Sequence, residues 1–120
     1  MGVFVKSDIV VMPYPFSSLK SKKKRPVLVL KNSSLNDLIV IPFTSKVDDR
    51  DKLLYKIDKD MIVGKEFAKE SSLILDKIFT LSSDLVLYKF GELKPEIYEE
   101  ILKEITKYLN ESKKFCVPPA

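Results

Sequence analysis

The chain has 120 residues, of which 45% are hydrophobic and 32% charged, and its 21 Lys and Arg outnumber 17 Asp and Glu to give a net charge of +4. Histidine is absent and Cys116 is the single cysteine, which excludes a histidine general base, a Ser-His-Asp triad, a histidine-ligated metal and a disulfide framework within one chain. This length predicts one domain that buries roughly two-thirds of its surface. We expect no metal, no cofactor and a reducing, cytoplasmic location.

Short apolar, β-branched runs predict a series of strands. They lie at residues 8–12, 27–30, 38–41, 53–57, 61–63 and 89–93. The segment 1–12 carries Lys6 and Asp8 and is too short and too charged for a signal sequence or a membrane helix, so no membrane association is expected.

Polar and proline residues predict where these strands end. The turn-like residues 31–34 are expected to close the second strand. The segment Pro42-Phe43-Thr44-Ser45 is expected to terminate the third strand. The run 73–81 predicts one longer strand that changes face or bulges midway. Ser82 to Asp84 predicts a turn or the N-cap of a short helix that extends through Tyr88.

The C-terminal region predicts a helix at about 95–109. Pro95 suits the first helical position, and Ile97, Ile101, Ile105 and Leu109 recur at every fourth residue. The apolar stripe is expected to pack on a sheet, and a partner surface is the alternative. Many short strands and one terminal helix predict a mainly β (α+β) fold, a small antiparallel β-barrel, with residues 1–110 as a single domain and 111–120 as a tail.

A basic segment runs directly into the second predicted strand. Four lysines at positions 20–24 precede Arg25, which stands next to Pro26. Proline restricts the backbone of the residue before it, so the guanidinium of Arg25 is held in a reproducible direction and suits a bidentate grip on phosphate. This favours a polyanion as partner. The alternative is a solvated hairpin tip.

The order of these signals resembles the MazF/PemK family of toxin–antitoxin endoribonucleases over nearly the whole chain. The signals are Asp8-Ile9-Val10, Pro15-Phe16, Lys24-Arg25-Pro26 with the apolar run to Leu30, Ile41-Pro42-Phe43-Thr44-Ser45, the run 71–81 and Gly91-Glu92-Leu93. The chain departs from the family in having Ser7 where Gly is usual before Asp8-Ile9, and Phe43 where Ile is usual before Thr44.

The resemblance implies an SH3-like barrel with helices, usually a homodimer, that acts as the toxin of a type II toxin–antitoxin system. It implies metal-independent cleavage of single-stranded RNA, including mRNA, that leaves a 2′,3′-cyclic phosphate and a 5′-hydroxyl. The implied partners are single-stranded RNA, a cognate antitoxin with an acidic disordered tail, and operator DNA bound together with that antitoxin.

The resemblance also assigns roles to residues by position. Arg25 and Thr44 match the catalytic arginine and the catalytic threonine or serine. Residues that match the RNA-binding segments are Phe16, Ser17, Lys20, Lys22, Lys23, Lys24 and Ser45. Without the resemblance, Thr44 reads as a strand-end hydroxyl that caps the backbone, and Phe16 as a core residue.

The chemistry fits a protein without histidine, because RNA supplies its own nucleophile, the 2′-hydroxyl. Arg25 is expected to stabilise charge on the phosphate, and Thr44 or Ser45 to donate a hydrogen bond. Arginine stays protonated, so the sequence does not name the group that accepts the 2′ proton. The rival function is a non-catalytic barrel that binds nucleic acid or protein, such as a topoisomerase-inhibiting toxin.

Overall fold

The described part of the chain contains eight β-strands and one C-terminal α-helix. The structure, a computed structural model, describes residues 4–13, 24–34, 36–45, 53–64 and 70–111. The elements are β1 Asp8–Pro13, β2 Lys24–Ser34, β3 Asp37–Thr44, β4 Leu54–Ile57, β5 Ile62–Gly64, β6 Ser71–Ile74, β7 Phe79–Ser82, β8 Tyr88–Leu93 and α1 Pro95–Asn110. Two short 3₁₀ helices, Lys59–Met61 and Ser83–Leu85, join strands.

All the described strand pairs are antiparallel and form one curled sheet, a half-barrel. The strand order is β4-β6-β3-β2-β1-β8-β5. The remaining described strand, β7, pairs with β3. The prediction of a mainly β antiparallel fold with a C-terminal helix is therefore confirmed.

Two predicted strand ends are wrong. Residues 31–34 are not a turn but the second half of β2, where Lys31 pairs with Ile39 after a bulge and Ser34 pairs with Asp37. The backbone ladder with β3 thus holds this polar stretch extended, with Lys31, Asn32 and Ser33 exposed. Pro42 lies inside β3. On the edge of β3 opposite to β2, pairing with β7 ends at Val40 and pairing with β6 begins at Phe43, so Pro42 lies between these two partners. A residue without an N–H is tolerated at such a change of partner.

The predicted single strand at 73–81 is also wrong, since it is two strands on one edge of β3. Phe43 pairs with Leu73 of β6, and Val40 pairs with Phe79 of β7. Three residues along β3 therefore correspond to six along this segment, and the surplus forms a break between the two strands. The pattern suggested an irregularity midway; the turn at Leu75 and Asp76 is that irregularity.

Short polar turns account for the remaining differences from the sequence prediction. Ser82 accepts a hydrogen bond on its side-chain oxygen from the backbone N–H of Asp84, at 3.2 Å, and so caps a 3₁₀ helix. That helix ends at Leu85 rather than Tyr88, which already begins β8. The strand predicted at 61–63 is the end of a 3₁₀ helix followed by β5.

The sheet is buried on both faces, which divides the core into two clusters. The first core cluster lies beneath α1 and consists of Ile9, Leu28, Ile41, Phe43, Ile57, Ile62, Leu73, Leu75, Leu93, Ile101 and Ile105. The second core cluster lies on the other face and consists of Val10, Met12, Val27, Val29, Leu38 and Val40, covered by Phe4, Phe79, Leu81 and Val86. Alternate residues of β1, β2 and β3 thus belong to different clusters, as the two-residue period of a strand requires.

Tyr98 ties α1 to the sheet. Its side chain is 4% exposed, and its hydroxyl donates a hydrogen bond to the backbone oxygen of Leu30, at 2.6 Å. The ammonium of Lys6 lies 5.8 Å from the centroid of the same ring. Burial, followed by the charge of Glu99, raises the pKa of Tyr98 above its usual range. These contacts fix the helix over the first core cluster.

Ser7 joins β2 to β8 in a backbone conformation that favours glycine. Its φ is 73°, its N–H donates to the oxygen of Val29 at 2.9 Å, and its oxygen accepts from the N–H of Leu93 at 2.9 Å. The two backbone bonds hold a serine in the left-handed region, at a cost of about 1–2 kcal/mol.

We expect Ser7→Gly to raise the free energy of unfolding by about 0.5–1 kcal/mol, because glycine adopts this φ without the clash of a Cβ. Chemical denaturation of both proteins measures the difference. Ser7→Ala keeps the Cβ and should give no gain. Equal stability of the glycine variant and the original protein would show that the turn is not strained.

Tyr98→Phe is expected to lower the free energy of unfolding by about 1 kcal/mol at pH 7 through loss of the hydrogen bond to Leu30. Because the pKa of Tyr98 is raised on folding, its contribution is fully present below the ordinary pKa of about 10 and is lost as pH rises through the folded-state pKa. The difference in the free energy of unfolding between the original protein and Tyr98→Phe should therefore shrink as the pH rises above 10. Tyr108→Phe, on the exposed part of the helix, is the control, and an unchanged alkaline profile in Tyr98→Phe would refute the expectation.

Candidate functional site

Arg25 lies near the start of β2, on the face of the second core cluster. Val27 and Val29 belong to that cluster, and Arg25 precedes them by two and four residues, so it shares their face. On the neighbouring strand it pairs with Met12, which is 1% exposed. The half-buried arginine therefore lies at the end of the strand face that carries this packed core.

Thr44 lies at the end of β3 on the same face. Leu38 and Val40 of this strand belong to the second core cluster, and Thr44 follows Val40 by four residues. It is half-buried and pairs with Ser72 of β6. The ladder between β2 and β3 ends at the pair of Val27 and Pro42, and two further residues in the same register lead to Arg25 and Thr44. The two predicted catalytic residues therefore occupy neighbouring strands, one face and one end of the sheet.

Two other predicted residues flank this pair. Lys24 is exposed at the first position of β2 and pairs with Pro13. Ser45 is exposed and directly follows β3. The remaining predicted RNA-binding residues lie outside the described part of the chain; they are Phe16, Ser17, Lys20, Lys22 and Lys23.

This arrangement combines the guanidinium of Arg25 with the hydroxyl groups of Thr44 and Ser45. A guanidinium can donate two parallel hydrogen bonds to the oxygens of a phosphate, and a threonine hydroxyl can donate a third. The apolar cluster next to Arg25 lowers the local dielectric, which strengthens such bonds relative to water. The geometry suits a group that carries or develops negative charge on oxygen.

A buried carboxylate lies elsewhere on the sheet and has a structural role. Asp8 is 2% exposed; its Oδ2 accepts from the N–H of Val5 at 3.0 Å, and its Oδ1 lies 3.2 Å from the Nζ of Lys89. Lys89 also lies 3.6 Å from Glu92, and its hydrogen bond to Asp8 is the main cause that raises its pKa. Asp8 precedes Met12 by four residues, so it is roughly 13 Å along β1 from the level of Arg25. It holds β1 to β8 and is out of hydrogen-bonding range of the site.

Within the described ranges, no group of three or more His, Cys, Asp and Glu residues is placed to hold a metal ion. No helix in that part of the chain is long and apolar enough to span a membrane.

A family model decides the classification of the chain. The model described as PemK-like, MazF-like toxin of type II toxin-antitoxin system matches residues 6–109. The chain belongs to this toxin family. The match includes all eight described strands, both Arg25 and Thr44, and all but the last residue of α1. The resemblance on which the sequence prediction rested is confirmed.

Solved structures of toxins have a similar fold. The Mycobacterium tuberculosis toxin MazF-mt6 has a TM-score of 0.62 and 20% identity, over 88% of this chain and 99% of that one. The Deinococcus radiodurans MazE-MazF structure has a TM-score of 0.62 and 16% identity, over 92% and 100%. An endoribonuclease in complex with its cognate antitoxin, from a mycobacterial species, has a TM-score of 0.57 and 13% identity, over 90% and 93%. No curated protein sequence matches this PemK/MazF-like chain.

Proposed function

We propose that this member of the PemK/MazF-like family is the toxin of a type II toxin–antitoxin pair and a metal-independent endoribonuclease. Its substrate is single-stranded RNA, including mRNA, and its products carry a 2′,3′-cyclic phosphate and a 5′-hydroxyl. Membership of the family supports the toxin role. It also supports the ribonuclease activity, since toxins of this family are endoribonucleases in general.

The single observation that carries the proposal is the placement of Arg25 and Thr44. A guanidinium and a hydroxyl lie on adjacent strands and on one face, beside an apolar cluster that partly excludes water. Neither group needs a metal or a histidine to act on a phosphodiester.

In the proposed reaction the 2′-oxygen of RNA attacks the adjacent phosphorus, and the bond from phosphorus to the 5′-oxygen breaks. Arg25 donates two hydrogen bonds to the non-bridging oxygens, whose negative charge grows in the transition state. Thr44 donates to a non-bridging oxygen or to the departing 5′-oxygen. Arg25 remains protonated, so the 2′ proton passes to another group or to solvent hydroxide, and a proton returns to the 5′-oxygen.

The proposal includes partners and location. Two of the similar structures, MazE-MazF and an endoribonuclease in complex with its cognate antitoxin, pair a toxin with an antitoxin. We infer that a cognate antitoxin places an acidic, disordered tail over Arg25 and Thr44, and that toxin and antitoxin together bind operator DNA. The toxin itself is a homodimer in the cytoplasm.

The test incubates the purified protein with single-stranded RNA in excess EDTA and determines the 3′ ends of the products. We expect cleavage that leaves a cyclic phosphate, and a loss of about 10²–10³ in rate for Arg25→Ala. Thr44→Ala should also be slower, while Thr44→Ser, which keeps the hydroxyl, should retain most of the activity. Each variant is compared with the original protein by thermal unfolding to show that it is folded.

Three outcomes would contradict the proposal in different ways. A folded protein that cleaves no RNA of varied sequence would instead be a non-catalytic binding module. Cleavage that disappears with EDTA would contradict metal independence. Cleavage that survives Arg25→Ala would show that the site lies elsewhere.

A further inference from the structure

A polar row extends from Thr44 across the sheet onto two strands that the sequence prediction did not connect with the site. Thr44 of β3 pairs with Ser72 of β6, and Ser72 pairs with Lys56 of β4. Residues directly opposite one another on adjacent strands share a face, so the three side chains lie on the same side of the sheet as Arg25.

Burial on the opposite face supports this orientation. The neighbours of the row on each strand are Phe43, Leu73 and Tyr55, and all three pack in or against the first core cluster beneath α1. The row itself therefore points away from the helix. Ser72 is half-buried, and the side chain of Lys56 is 60% exposed.

The two directions across the sheet from Arg25 and Thr44 differ in chemistry. On the β1 side, Arg25 is paired with Met12, a buried and apolar residue. On the β6 side the row continues with a hydroxyl and then an ammonium, over two strand spacings or roughly 10 Å. In the second direction, a polyanionic strand that crosses the sheet from the site meets a hydrogen-bond donor and then a cation.

We propose that Ser72 and Lys56 extend the site and bind the phosphate backbone of single-stranded RNA next to the bond that is cleaved. This inference rests on the proposed function, because it takes Arg25 and Thr44 as the position of the reacting phosphate. Ser72 donates a hydrogen bond to a backbone oxygen, and Lys56 supplies a point charge to a phosphate further along the strand.

Glu70 moderates the charge of this extension. Its Oε1 lies 3.6 Å from the Nζ of Lys56, and both side chains are exposed, at 84% and 60%. An exposed pair of this kind is weak, so a phosphate can replace the carboxylate as the partner of Lys56. Loss of Glu70 should therefore strengthen RNA binding, and loss of Lys56 should weaken it.

The experiment measures binding of a single-stranded RNA oligonucleotide in which every 2′-hydroxyl is methylated, so that it cannot supply the nucleophile. Dissociation constants are determined at several salt concentrations for the original protein and its variants. Lys56→Gln should weaken binding roughly three- to tenfold at 0.1 M salt and reduce the slope of log K against log salt by about 0.7, the loss of one phosphate contact. Glu70→Gln should tighten binding.

Ser72 is tested in the same assay with a matched rescue. Ser72→Ala should weaken binding roughly two- to tenfold. Ser72→Thr keeps a hydroxyl in a residue suited to a strand and should bind RNA with the affinity of the original protein. Lys103→Gln removes an exposed lysine from α1, on the other side of the sheet, and should change neither the affinity nor the slope.

Cleavage of unmodified RNA by the original protein separates this inference from the proposed function. Normal affinity and slope in Lys56→Gln, in a protein whose original form cleaves RNA, would overturn the extension and leave the proposed function intact. Binding that depends on Lys56 without any cleavage would support the extension and contradict the proposed function. An effect of Lys56→Gln on binding of an acidic peptide but not of RNA would assign the row to a protein partner and overturn the inference.

Discussion

Strand β3 is the element on which the rest of the structure depends. One of its edges carries β2, and the other carries β7 along its first half and β6 at its end. The change of partner occurs around Pro42, which cannot donate a ladder hydrogen bond and so fits a position between two partners. This change leaves the end of β3, where Thr44 lies, next to β6, which carries polar residues of its own.

Burial on both faces explains why the site has a fixed position. α1 and the first core cluster cover one face, while Phe4, Val86, and Phe79 and Leu81 of β7 pack against the second core cluster on the other. Beyond the second core cluster that face becomes polar, and the polar region starts with Arg25 and Thr44. A guanidinium at the margin of a packed core combines access to solvent with a local environment in which its hydrogen bonds are strong.

The sequence allowed prediction of those features that depend on local pattern. The strand cores of β1, β2 and β3 follow from β-branched runs, and α1 follows from the four-residue spacing of Ile97, Ile101 and Ile105. The predictions that failed concern pairing. Residues 31–34 look like a turn until β3 supplies the ladder that extends them, and the run 73–81 looks continuous because both of its halves lie along one edge of β3.

The same distinction applies to the candidate site. Arg25 and Thr44 could be named from an ordered set of motifs, since each lies at the end of a recognisable apolar run. Ser72 and Lys56, which we propose as an extension of the site, could not, because a serine at 72 and a lysine at 56 carry no local signal. Only the register of β4 with β6, and of β6 with β3, places them in line with Thr44.

The measurement that tests the central claim most directly is a double-mutant cycle between Arg25 and Thr44 on kcat/KM for RNA cleavage. If both side chains stabilise the same phosphate in one transition state, removing the second costs less once the first is absent. We predict that Arg25→Ala and Thr44→Ala together lose less than the sum of their separate losses, by about 1 kcal/mol or more. Strictly additive losses would show that the two residues act independently, and would contradict a single site at this end of the sheet.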